Sequence, residues 1–311
     1  MITLRSHIIS LAAVFLALAV GVVLGSGVLN DTMRSGVSEG RAALQKQAGS
    51  LTDEKDTLAG RLKAADQFDA QISGRVVAGA LAGKSVVVFH TPDAEDADVD
   101  ALVRLVSQAG GTVTGTVGLT DAFVDAADAE KLRSVVNSPI VPAGAQLNTA
   151  LVDQSSQAGD LIGLAVLINR DPKIAPVDDP ARDTVLGALR DTGFITYDRV
   201  GAADTALIVT GGALADDAGN RGLTVARFAA GLAPHGSGTV LAGRDGSAGG
   251  VSAVAVTRND AAMAGAVTTV DDIGTVSGRI TTILALQALI AGSAPAKYGV
   301  GEGAAAVTVP Q

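Results

Sequence analysis

The sequence predicts an α/β protein: an N-terminal transmembrane helix and a short coiled coil, followed by a mainly parallel α/β sheet domain. Three observations lead there. Residues Ile8–Asn30 carry no formal charge and are mostly Ala, Val, Leu, Ile and Gly. Val37, Leu44, Leu51 and Leu58 then recur every seventh residue, the period of a coiled-coil seam. Beyond about residue 70, short continuous apolar runs alternate with helix-spaced ones, as in a parallel sheet covered on both faces.

The uncharged run comes first. At roughly 1.5 Å per residue it would span about 30 Å, the thickness of a bilayer core. Arg5 precedes it, and Asp31 and Arg34 follow, so the positive-inside bias favours a cytoplasmic amino terminus and an exported remainder. A cleaved signal peptide is the alternative reading, although Gly25-Ser26-Gly27 offers no clean A-x-A site. Ala17, Gly21 and Gly25 recur every fourth residue, a spacing that lets membrane helices approach closely. Residues 1–30 are thus expected to form a membrane anchor.

The heptads continue through Ala65, with Ala48 and Leu62 in the intervening core positions. Arg41 and Lys55 interrupt that second series, and Gly40, Gly49 and Gly60 lower helix propensity. Residues 31–70 read as a coiled-coil stalk with a core of Val37, Leu44, Leu51 and Leu58. Small membrane-face residues and heptads together point to a homo-oligomer. The plainer reading is that the heptads pack on the chain's own domain.

Residues 71–311 form the exported α/β domain. Ser85–His90 (SVVVFH) is a strand ending at the turn Thr91-Pro92-Asp93. Val99, Leu102, Val103 and Val106 follow helical spacing up to Gly110-Gly111, and Thr112–Val117 is the next strand. The run Leu161–Ile168 fits a buried helix or a strand equally. A Pro-spaced stretch over 171–180 reads as a long loop or as a linker between two subdomains. Val185, Leu186 and Leu189 then mark a helix, and Phe194–Tyr197 and Ala206–Thr210 read as strands. A helix through Val225–Leu232, strands near Thr239–Ala242 and Ala253–Val256, and a helix over Ile280–Ile290 complete the series.

Composition limits the chemistry. The net charge of -9, from 23 basic and 32 acidic residues, argues against nucleic-acid binding, which needs a concentrated basic face. Without cysteine there is no disulfide, thiolate metal site or cysteine nucleophile. Gly83-Lys84-Ser85 fails as a P-loop: the glycine spacing is one short, and the strand follows the motif instead of preceding it. Asp93, Glu95, Asp96, Asp98 and Asp100 fail as a calcium loop, because Ala101 and Ser107 stand where glycine and glutamate are needed. Acidic residues at a helix start complement its dipole instead. His7, His90 and His235 are scattered, and no G-x-S-x-G or H-E-x-x-H is present. The expectation is no enzyme, no cofactor, and no catalytic or metal-ligating residue. The ligand-loop candidates are Gly211 and Gly212 after one strand and Arg244 after another, where α/β sheets hold anions.

Five segments carry a family resemblance: Ser10–Gly27 (SLAAVFLALAVGVVLGSG), Ala129–Gly144 (AEKLRSVVNSPIVPAG), Arg182–Tyr197 (RDTVLGALRDTGFITY), Val225–Gly246 (VARFAAGLAPHGSGTVLAGRDG) and Val270–Leu286 (VDDIGTVSGRITTILAL). Together they resemble the mycobacterial copper transport protein B (MctB) family of actinobacterial envelope proteins. The resemblance implies copper efflux and resistance, pore formation, and association with the outer membrane, with the copper ion as transported species. A related branch implies the alternative: a membrane-anchored interaction protein of septal cell-wall regulation, working through an envelope partner without copper binding. The N-terminal helix by itself implies the inner membrane. Cu(I) prefers thiolate and thioether ligands, yet the chain offers only Met1, Met33 and Met263. Two tyrosines and six phenylalanines cannot supply the aromatic girdles of a barrel, so ion passage is expected through an oligomer of N-terminal helices.

Overall fold

The computed structural model describes residues 4–25 and 28–310. The chain divides into two compact units, Met1–Ala65 and Asp66–Gln311. In the first, helix α1 spans Leu4–Gly25, and helix α2 runs Val28–Val76, its last residues belonging to the second unit. The side chains of Ile8, Ile9, Leu11, Phe15, Leu16 and Leu18 on α1 are exposed. Among the described residues, no helix is long and apolar enough to cross a membrane. The transmembrane helix expected over the N-terminal run thus finds no support among the described residues.

On α2 the heptad residues Leu44, Leu51 and Leu58 stand 68, 59 and 55% exposed. The Val37 side chain lies outside those described. On α1, a Cβ added at Gly21 or Gly25 would meet nothing within 4 Å.

The second unit is built on strands β1 (Ser85–His90), β2 (Thr112–Leu119), β3 (Ile195–Tyr197), β4 (Thr205–Val209), β5 (Thr239–Ala242), β6 (Val267–Val270) and β7 (Lys297–Tyr298). They form one open sheet in the order β3-β2-β1-β4-β5-β6-β7, parallel except for β3, which runs antiparallel to β2. The helices are α3 (Asp96–Gln108), α4 (Asp121–Val124), α5 (Ala129–Val136), α6 (Gln154–Val166), α7 (Asp179–Asp191), α8 (Arg221–Leu232), α9 (Ala253–Asn259), α10 (Ala261–Ala266) and α11 (Val276–Ile290).

Alternation along the strands builds two cores, because successive side chains point to opposite faces. Val87, Phe89 and Ile208 face one layer, with Leu161 and Ile162 of α6 and Phe228 of α8. Val86, Val88 and Leu207 face the other, with Leu102 of α3 and Ile283 and Leu286 of α11. The few aromatics are concentrated: Phe228 meets Phe89 and Phe123 edge-on at 5.4 and 5.3 Å.

Layer α6–α8 is closed by glycine. A Cβ on Gly159 of α6 would overlap the Phe228 carbonyl oxygen, and one on Gly231 of α8 would overlap that of Ser156. The backbones therefore touch without side chains between them.

Two elements differ from the sequence reading. Residues 253–256, expected as a strand, are the first turn of α9, and the strand at that position of the sheet is Val267–Val270. A four-residue apolar run carries no period that separates helix from strand, and Thr268 and Thr269 disguise β6 although both are buried. The run Leu161–Ile168, open between two readings, falls mostly on α6.

Candidate functional site

Strand order sets where a ligand is expected. From β1 the chain moves to β2 on one side, and from β4 it moves to β5, β6 and β7 on the other. Doubly wound sheets bind ligands outside the carboxyl ends of the strands where that order reverses. Here that place lies between the ends of β1 and β4. Gly211 and Gly212 follow β4 and Arg244 follows β5, so all three ligand-loop candidates stand at this end of the sheet.

The chain's own carboxylates occupy the crevice. Asp93, just beyond β1, accepts from the Gly211 backbone N–H at 3.1 Å and from the Thr210 hydroxyl at 3.4 Å through Oδ2. Its Oδ1 accepts from the Thr91 hydroxyl at 2.5 Å. A Cβ on Gly211 would lie 2.5 Å from the Asp93 carbonyl oxygen, so glycine is required for the approach. Arg244 Nε donates to Asp98 Oδ2 at 2.6 Å, and Arg279 Nη2 donates to Asp98 Oδ1 at 3.1 Å. Glu95 lies 3.6 Å from Arg244. An anion would find the Gly211 amide and the Arg244 guanidinium already paired with carboxylates. The free space lined by Asp93, Thr210 and Arg221 is about 20 Å³, room for about one water molecule.

A second ionic cluster lies at the end of β6. Arg258 of α9 donates through Nη1 to Asp271 at 2.5 Å and to the Glu302 carbonyl at 2.9 Å, through Nη2 to the Tyr298 carbonyl at 2.7 Å, and through Nε to the Thr269 hydroxyl at 3.0 Å. Asp271 also accepts from the backbone N–H groups of Val300 and Gly301. This buried pair ties the C-terminal segment to the sheet through four bonds from Arg258 and two further N–H groups on Asp271.

Beside it, Asp272 is buried with Oδ1 unpartnered. Burial, reinforced by the charges of Asp271 and Asp245, raises its pKa from 3.8 to about 6. Between those values the folded protein binds a proton that the unfolded chain has lost, so stability falls as pH rises through this window. The favourable contribution is complete below about 3.8 and gone above about 6. Asp272→Asn removes this slope. At pH 7.5 it is expected to gain on the order of 3 kcal/mol over the parent, and at pH 4 almost nothing. Urea midpoints at the two pH values measure the difference, and an equal effect at both would contradict the assignment.

The two histidines of the second unit do not converge. His7 lies on α1 and His90 ends β1, while His235 Nε2 stands 2.7 Å from Asp160 Oδ1. Among the described residues, no group of three or more His, Cys, Asp or Glu is arranged to hold a metal ion. Two pairings had no local signal in the sequence: Asp93 with Gly211 spans 118 positions and Asp160 with His235 spans 75. The acidic run 93–98 was legible as a helix start, but its turning toward Gly211 and Arg244 depends on the strand order.

These features define a doubly wound α/β protein whose ligand crevice is filled by its own carboxylates, preceded in sequence by two N-terminal helices. The family described as "Copper transport outer membrane protein, MctB" matches residues 1–309. Proteins named copper transporter MctB from Mycobacterium tuberculosis (strain ATCC 25618 / H37Rv) and Mycobacterium leprae (strain TN) are each 60% identical, covering 100% of this chain and 100% of their own length. The chain belongs to the MctB family. The relatives are named as transporters, not enzymes.

Proposed function

We propose that the protein is a copper transport and resistance protein of the cell envelope. The observation that carries this reading is full-length similarity: 60% identity, end to end, to proteins named copper transporters. Copper is the cargo in this account, moved without a resident cofactor.

The first unit supplies the membrane contact and the self-association. Ten large apolar side chains of α1, among them Ile8, Leu11, Phe15 and Leu18, are exposed and need an apolar cover. Lipid is that cover: α1 lays its apolar side chains against an envelope membrane, the outer membrane by the family's description. Ala17, Gly21 and Gly25 form the face on which copies of α1 approach one another, since nothing occupies the space beside the two glycines. Leu44, Leu51 and Leu58, with Val37 continuing the heptad, form the seam between copies of α2.

The same leucine seam favours one second reading, in which α2 docks a protein of the septal cell-wall machinery and copper is not bound. A strain lacking the gene separates the two. The copper reading expects growth to fail at copper loads the parent tolerates, with normal septa, and the full chain to restore growth. Misplaced septa with unchanged copper tolerance would replace it with the second reading.

A further inference from the structure

One cavity of the second unit lies beside the ends of α6 and α8, and its walls are mostly apolar around one histidine, with Asn169 and Asp178 among them. It measures about 510 Å³, within the range of sites that enclose small organic molecules. Leu164 and Leu167 at the end of α6, Ile174, Pro176 and Val177 before α7, and His235 after α8 line it.

The His235 ring is held on two sides. Asp160 is buried, and its two oxygens are both engaged: Oδ2 accepts from the Asn148 backbone N–H at 2.6 Å, and Oδ1 faces His235 Nε2 at 2.7 Å. A carboxylate that already accepts a backbone N–H accepts from the ring as well, which puts the imidazole proton on Nε2. The Cδ2–Cγ edge packs on Gly163 of α6, where an added Cβ would lie 2.7 Å from Cδ2. Among the described residues nothing hydrogen-bonds to Nδ1, and it is not counted among the buried unpartnered atoms. An oriented ring whose Nδ1 has no partner among the described residues thus belongs to the lining of a mostly apolar chamber. A carboxylate fixing one ring nitrogen leaves the other with a defined lone pair, the arrangement by which imidazoles accept a proton donor or ligate a metal.

We propose that this cavity binds an uncharged, largely apolar small molecule carrying one hydroxyl or N–H donor, with the donor on His235 Nδ1. The walls decide against a metal ion: among the described residues no cluster of ligating side chains surrounds the nitrogen, whereas a chamber this size buries an organic ring system. The donor fixes orientation, and the leucine, isoleucine and proline walls supply the affinity.

The test uses the full chain labelled with ¹⁵N-histidine, since only three histidines contribute signals. The probes are 2-naphthol and its methyl ether, 2-methoxynaphthalene, which differ by the donor. 2-Naphthol is expected to move the His235 Nδ1 resonance, identified as the signal missing from His235→Gln, and to bind about tenfold more tightly than the ether. His235→Phe, which keeps an aromatic ring on Gly163, is expected to equalise the two probes. Leu164→Trp, which fills the chamber, and independently Val177→Trp, is expected to weaken both. Equal binding of the two probes to the parent chain, or no change at His235 with either, would overturn the proposal. So would stoichiometric copper(II) broadening the His235 signal selectively, which would assign the nitrogen to the metal.

Discussion

Gly159→Leu is expected to prevent the second unit from folding, and Gly159→Ala to cost about 3 kcal/mol, at the upper end of what an overpacked core site loses. The reason is that the obstacle is backbone. A Cβ at 159 meets the Phe228 carbonyl oxygen and lies 3.0 Å from the Leu232 nitrogen, and neither can rotate aside as a side chain would. Relief requires α6 and α8 to separate, which opens the layer holding Leu161, Ile162 and Phe228. Gly187→Ala in α7 is the matched control, because nothing lies within 4 Å of a Cβ there. It is expected to be neutral or to stabilise by up to about 1 kcal/mol through helix propensity. Urea midpoints followed by far-ultraviolet circular dichroism compare the two. Equal midpoints would refute the close α6–α8 approach.

Arg258→Met is expected to lose about 3–5 kcal/mol, because it leaves Asp271 buried without its cation. Asp271 and Arg258 are 1 and 5% exposed, so water cannot replace the missing partner. The carbonyls of Tyr298 and Glu302 lose their donor at the same time. The double variant Arg258→Met with Asp271→Leu is expected to recover much of the loss, since the cost lies in the stranded charge more than in the missing attraction. The same urea series reads this. A double variant no better than the single would mean that the backbone contacts of Arg258 with the carbonyls and of Asp271 with the Val300 and Gly301 N–H groups, not the ion pair, hold the C-terminal segment.

The sheet was legible wherever a strand is buried on both faces. SVVVFH and the apolar run ending at Val209 read directly as β1 and β4, since a doubly covered strand must be continuously apolar. Residues 253–256 and β6 were not legible for the complementary reason: Ala-Val-Ala-Val is apolar at either period, and Val-Thr-Thr-Val reads as half-polar although its threonines are buried.

The site was legible only as a location. Gly211, Gly212 and Arg244 stand at the carboxyl end of the sheet as the spacing of strands and loops predicts, but the occupant of that place, Asp93, is brought there by a strand pairing more than a hundred residues apart. His235 likewise read as an isolated loop residue, because its partner Asp160 lies on a different helix.

The central claim is that the protein moves copper across the envelope. The most direct measurement is the total copper content of cells exposed to a fixed copper dose, by elemental mass spectrometry, in the parent strain, a strain lacking the gene, and that strain carrying the full chain. The account predicts raised copper in the deletion strain, with zinc and manganese unchanged, and return to the parent level with the full chain. Identical copper content in all three strains would contradict it.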